Sequence, residues 1–462
     1  MSKARWFWKT VYERFDPERP AGDHAWRVTR PYSPREAIGR GLERPMGWPQ
    51  HYMVFGTTGT GISTELHAAA EERSQVSMVV FLDLVDHFGR IVGDEAALQH
   101  VQAWEVLFLA GLAIHRSAQE LFGVEWAARY LDDFQEVVRA LRPAHPGNRG
   151  PAIDVARLAS ATAAAVGGPI GGLAGAGLRP LAEPGKSARW DFEIGRRDQP
   201  SLPDQDPRVR RLLDAVNQLI GAIQSEQQHL VLIIDGLERI KSEETTRRLF
   251  VDSTVLGELS CAIVVGAPLL FKHTSLVTRA RHFKPLVLAN VPVIDHADPR
   301  RPGPGIEIMK EVYRRRVSDL EPGVALGVPR PLLGRLAYYS GGCMRDFVRL
   351  VRLVSEACWD RDLSLADEAA AEACIDERRR AQELGITGED LEILARVVEH
   401  PLHLLPASPR TQALLEQNHL LPYPNESEWH FPHPLLTLHL LPLEPSPGAT
   451  GSGESSRSPT AG

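Results

Sequence analysis

The stretch GTTGTGIST, Gly56 to Thr64, follows directly on the apolar run Tyr52-Met-Val-Phe55. Gly56, Gly59 and Gly61, followed by Ser63 and Thr64, have the spacing of a phosphate-binding loop, Gly-x-x-x-x-Gly-[Lys]-Ser. Glycines at these places let successive backbone N–H groups turn toward phosphate oxygens. The positive end of the following helix adds to the cradle. Thr57, Thr58 and Thr60 fill the intervening positions, so the whole run from Gly56 to Thr64 is the candidate nucleotide-binding segment. Ser63 or Thr64 offers the hydroxyl that ligates Mg²⁺ in such a loop. The position of the lysine, which spans the β- and γ-phosphates, is held by Ile62.

The pattern around the loop predicts an α/β fold, a P-loop NTPase parallel sheet. After the strand Tyr52–Phe55 and a helix Ser63–Arg73 comes a second apolar strand, Ser77–Asp86. Amphipathic helices are predicted from Ala96 to Phe122, Trp126 to Leu141 and Pro207 to Gln227. Further strands are predicted at His229–Ile240, Cys261–Phe271 and Pro285–Val293. Continuous apolar strands alternating with helices indicate a sheet buried on both faces.

The expected organisation is an N-terminal arm over 1–40 and a nucleotide-binding domain over 41–305 carrying a Gly/Ala-rich insertion at 142–206. A helical lid over 306–385, a small unit over 386–442 and a disordered tail over 443–462 follow.

Composition narrows the function classes. A net charge of −7 gives no global attraction to nucleic acid. Basic residues are lopsided, seven Lys against forty-five Arg, and no lysine lies between Lys9 and Lys186 to replace the missing one locally. Cys261, Cys343, Cys358 and Cys374 have no metal-binding spacing and read as reduced thiols. The histidines are scattered, and His430 and His433 lack partner thiols, so no metal site is expected from them. The N-terminus has no apolar signal core, and a cytoplasmic location is expected. The uncharged stretch Leu158–Leu178 is too rich in alanine and glycine for a good membrane span and reads as a flexible insertion. It is the one place where membrane contact would arise.

A second motif belongs with the first. In VLIID an apolar strand ends on Asp235, where a carboxylate can hold the Mg²⁺ water shell opposite the loop.

Together, GTTGTGISTEL, IIDGLERI and YYSGGCMRDFVRLVR resemble bacterial ATPases of the AAA+ and STAND superclass, over roughly residues 45 to 440. The resemblance implies that Gly56, Gly59, Gly61, Ser63 and Thr64 form the phosphate loop and that Asp235 is the Mg²⁺ carboxylate. It matches Glu238 to a second acidic position, where it could take the catalytic task. It matches Arg345 to the lid arginine called sensor 2, whose guanidinium can reach a γ-phosphate.

Three positions depart from the pattern. Ile62 replaces the lysine, Gly236 stands where many relatives carry a catalytic Glu, and Gly266 and Ala267 occupy the place of a polar sensor. Losing one buried charge-assisted hydrogen bond weakens ATP by roughly ten- to a hundredfold. At the transition state the loss is at least comparable.

Residues 386–442 resemble a winged-helix domain. With seven acids against two arginines there, DNA binding is not expected, and packing within the chain or against a protein is favoured. The expected function is a switch or scaffold that holds ATP or ADP with Mg²⁺, with weak or absent hydrolysis and with self-association or a protein partner. The alternatives are an active ATPase in which an arginine compensates for Ile62, and an interaction module that no longer binds nucleotide.

Overall fold

A computed structural model describes residues 2–21, 24–43, 50–122, 128–141, 166–167, 194–195, 201–225, 229–320, 326–424 and 428–441. Contacts divide the chain into two units, 18–289 and a second made from both ends, 1–17 with 290–462. The expected arm over 1–40 is therefore shared between them. Its first helix, α1 (Lys3–Arg14), belongs to the second unit.

The first unit is an α/β domain built on a mostly parallel sheet, as the strand pattern predicts. After helix α2 (Arg35–Glu43) come β1 (His51–Gly56), α3 (Ile62–Ser74) and β2 (Met78–Asp83). Helices α4 (Ala103–Phe122) and α5 (Ala128–Leu141) precede a two-residue strand β3 (Val166–Gly167). Then follow α6 (Pro207–Ser225), β4 (Leu230–Asp235), β5 (Ala262–Pro268) and β6 (Lys284–Val287). The order across the sheet is β3-β2-β4-β5-β1-β6, with every pairing parallel except β3 on the outer edge of β2. β1 and β4 are buried at every residue, as their unbroken apolar runs require. In such a sheet the carboxyl ends of the strands share one edge, and ligands bind there. The loop after β1, Asp83 at the end of β2 and Asp235 at the end of β4 all lie on it.

Several boundaries differ from expectation for local reasons. The second strand stops at Asp83 because that carboxylate accepts from Asp86 N at 2.9 Å and caps a helical turn. The helix expected from Ala96 is a 3₁₀ segment, Glu95–His100, followed by α4. Glu105 folds back to accept from Gln102 N at 2.7 Å and starts α4 there. The strand expected over Cys261–Phe271 gives way at Pro268 to a helical turn, Leu269–Lys272. The last strand ends at Val287 rather than Val293, because Asn290 N donates to Pro422 O and Val291 N to Gly342 O. Pro292 has no donor to extend the ladder.

The second unit is mainly helical. It contains α7 (Gly305–Val317), α8 (Arg330–Tyr339), α9 (Met344–Asp360) and α10 (Glu368–Glu383). Helices α11 (Gly388–Glu399) and α12 (Pro409–Glu416) then lead to an antiparallel pair, β7 (Leu420–Tyr423) and β8 (Trp429–Pro432). α1 packs on α9, with Phe7 and Trp8 buried and Trp8 Nε1 donating to Leu363 O at 2.6 Å. Arginines on its helix faces have partners inside this unit. Arg352 meets Asp16, Arg314 and Arg315 meet Glu311, and Arg379 and Arg380 meet Asp376. All four cysteines are buried and unbridged, and burial pushes each thiol up to about 12.

Among the described residues no helix is long and apolar enough to cross a membrane. The Leu158–Leu178 stretch lies outside them apart from β3, as does the tail from 443.

Candidate functional site

The loop between β1 and α3 is built on two left-handed glycines. Gly59 has φ 93° and Gly61, which caps α3, has φ 100°, conformations that a side chain would strain. Thr60 closes the turn between them. Its N–H and its hydroxyl both donate to Thr57 O, at 3.1 and 2.8 Å. Gly56 is kept free of a side chain by this closure, since a Cβ there would stand 2.8 Å from Thr60 Oγ1 and 3.0 Å from Leu288 O. Thr57 and Thr60 are buried, whereas Thr58 is exposed and Gly59 and Gly61 half-buried at the tip.

Ile62 does more than leave out a cation. Its side chain is 5% exposed and belongs to the core cluster with Tyr52, Val54, Leu66, Phe81 and Val264. Its Cδ1 lies 3.1 Å from where a Cβ on Gly56 would be, and its Cγ2 lies 3.5 Å from the same point on Gly266. The residue that replaces the lysine is an apolar bridge between the loop and β5.

Of the two hydroxyls that follow, that of Ser63 lies beside Asp235, close enough to favour its charged form. Thr64 Oγ1 instead accepts from Ala21 N at 3.3 Å, so it is engaged by the segment that precedes α2. Asp235 is 3% exposed, and its Oδ1 has no hydrogen-bond partner among the described residues. Across the sheet its register partner is Asp83. Burial, then the charges of Glu238 and Asp83, hold the Asp235 carboxyl well above the usual range; Ser63 and Arg239 oppose the shift. Burial likewise raises Glu238.

Glu238 sits on the 3₁₀ turn Leu237–Arg239 and folds back, so that its Oε2 accepts from Gly236 N at 2.9 Å. A Cβ on Gly266 would lie 2.6 Å from that oxygen. The glycine at the sensor position is therefore the space that Glu238 occupies, which the sequence did not disclose. Ser63 with an unsatisfied Asp235 oxygen is the donor set that a hard divalent cation takes, and excess carboxylate is what it would neutralise.

Two residues of this region went unnoticed in the sequence. Asp83 ends an apolar run much as Asp235 does, so the same pattern could have found it. Arg30 has no local signal. It is buried, donating from Nε to Glu65 Oε1 at 3.0 Å and from Nη1 to Thr60 O at 2.8 Å. Arg345 lies in the second unit at the start of α9, where its Nε donates to Pro17 O at 3.2 Å.

No protein-family model and no curated protein matches the chain. Among solved structures it is similar to Cdc6p from Pyrobaculum aerophilum, with 11% identity, a TM-score of 0.37, and 93% of this chain and 96% of that one covered. The Aeropyrum pernix Orc1 protein in complex with DNA gives 11% identity and 0.37, covering 95% and 98%. The Thermotoga maritima RuvB Holliday junction branch migration motor gives 17% and 0.26, covering 50% and 76%. At these scores the likenesses carry no argument, and the fold rests on the strand order and the loop.

Proposed function

We propose that this protein is an AAA+/STAND-like nucleotide switch or scaffold, which holds ATP or ADP with Mg²⁺ and turns it over weakly or not at all. The reading is carried by one contrast. Ser63 still meets Asp235 at the strand ends, while Ile62 is turned into the core. In this reading the backbone of Gly56–Thr64 cradles the phosphates, and Ser63 and Asp235 hold the cation when it is bound. Mg²⁺ would supply charge neutralisation for the phosphates. Glu238 is the candidate acid for orienting water. Its tie to Gly236 N and its place against Gly266 set it back from the position beside Asp235 that a neighbouring Glu would occupy.

The response to nucleotide is proposed to pass to the helical second unit, where Arg345 is the candidate lid arginine, and from there to another copy or a protein partner. The winged-helix-like segment is read as a packing element rather than a DNA reader. This is supported by its acidic balance and by the complete burial of β7 and β8. Tyr423 and Trp429 stack at 4.9 Å, and Tyr423 Oη donates to Gly341 O at 2.7 Å.

The test is calorimetric titration of ATP and ADP, with Mg²⁺, into the native chain and into Ile62→Lys, with phosphate release followed in parallel. Binding by the native chain, tightened by the lysine, without appreciable phosphate release, is the expected result. No binding by either chain defeats the reading. Brisk Mg²⁺-dependent release by the native chain would make it an active ATPase instead.

A further inference from the structure

Residues that lead into α2, and Arg35 at its start, contact α3 through specific polar bonds. Arg27 pairs with Glu71, Arg35 with Glu72, and Ala21 N reaches Thr64 Oγ1. The innermost contact is Arg30. Its ion pair with Glu65 is buried on both sides, with side chains 6% and 9% exposed, and Ser33 Oγ donates to the other Glu65 oxygen at 2.6 Å. The same guanidinium donates to the carbonyl of Thr60, the residue whose own N–H and hydroxyl close the loop onto Thr57.

An arginine suits this task because its planar fork can serve two acceptors at fixed geometry, which an ammonium point charge cannot. Ordinary packing would not place a cation on a loop carbonyl at 7% exposure, where desolvating it is costly unless every bond is made.

We infer that Arg30 is a positioning residue for nucleotide phosphates: anchored by Glu65, it holds the Thr60 carbonyl and so keeps the Gly61 and Ile62 amides in place in a loop without a lysine. It does not touch the ligand in this account. It fixes the backbone that does. The inference rests on the nucleotide-binding reading for its consequence, but its structural half can be tested without nucleotide.

The experiment compares the native full-length chain with Arg30→Lys, Glu65→Gln and the double variant Arg30→Met/Glu65→Gln, which leaves no unpaired charge at the site. Backbone hydrogen exchange is measured without nucleotide, and Mg²⁺-ATP affinity by calorimetry. In the double variant and in Arg30→Lys, amides 59–63 should exchange at least tenfold faster while β1, β4 and β5 keep their protection. Where the native chain binds, ATP affinity should fall by at least tenfold. Glu65→Gln keeps an acceptor but loses the charge that anchors Arg30, so both the exchange at 59–63 and the ATP affinity should fall between those of the native chain and Arg30→Lys.

A merely structural role would loosen α3 and the sheet together or lower the unfolding midpoint without singling out the loop, and that result overturns the proposal. So does unchanged exchange at 59–63 in folded Arg30→Lys, which also decides the matter if the double variant does not fold. If the native chain binds no ATP, the nucleotide reading fails, while the exchange data still decide whether Arg30 holds the loop.

Discussion

Two buried aspartates, one in each unit, show what a carboxylate becomes when its partners differ. Asp235 ends β4 with one oxygen unpaired and with Asp83 and Glu238 nearby, and its carboxyl is held well above the usual range by burial and by those charges. Asp346, in the first turn of α9, is equally buried, yet its carboxyl lies well below that range. Burial alone would raise it. His433 at 3.5 Å and Arg378 at 2.9 Å overcome that. The Asp346 cluster ties α9 to α10 and to the residue after β8 and has cationic partners of its own, although its Oδ2, like Asp235 Oδ1, has no hydrogen-bond partner among the described residues. The Asp235 cluster is short of positive charge, the state expected of a site whose counter-charge arrives with a ligand.

The comparison is broken most forcefully at Asp346. Asp346→Ala leaves the half-buried Arg378 without its acceptor and should cost about 1–3 kcal/mol in denaturant unfolding. A loss under about 1 kcal/mol would mean that the cluster is not holding the helices together.

At the other site, Ile62→Lys should tighten Mg²⁺-ATP by roughly ten- to a hundredfold in calorimetry. It should also lower the stability of the nucleotide-free chain, since a core side chain becomes a charge. Unchanged affinity would show that the loop's amides alone set binding.

Asp235→Asn should behave opposite to Asp346→Ala. It relieves repulsion and should raise the stability of the nucleotide-free protein by about 1 kcal/mol, while Mg²⁺-dependent affinity falls. Destabilisation by this substitution would place Asp235 with the structural aspartates.

The smallest effect is a matter of pH. The raised Asp235 takes up a proton more readily folded than unfolded, so its contribution to stability is full below about pH 4 and declines as pH rises above it. The gain from Asp235→Asn should therefore be absent in acid and grow toward neutrality. For Asp346 the sign is reversed. Its contribution is full above about pH 4 and is lost as pH falls, so the penalty of Asp346→Ala should shrink in acid. Parallel pH profiles for the two variants would erase the distinction.

Much of this was legible in the chain itself. The parallel sheet follows from unbroken apolar runs such as Leu230–Ile234, because only a strand covered on both faces tolerates them. The loop follows from Gly59 and Gly61, whose positive φ angles no other residue adopts as readily, and Asp235 follows from its place at a strand end. These are local signals, fixed by neighbours in sequence.

What the sequence left undecided depends on residues far apart in it. That Ile62 bridges Gly56 and Gly266, that Gly266 is vacant because Glu238 fills it, and that Arg30 reaches Thr60 all require strands and segments to be brought together. The sequence determined which backbone could cradle a phosphate. Only the tertiary structure decided what lies against that cradle, because desolvation and charge pairing act through space and carry no period along the chain.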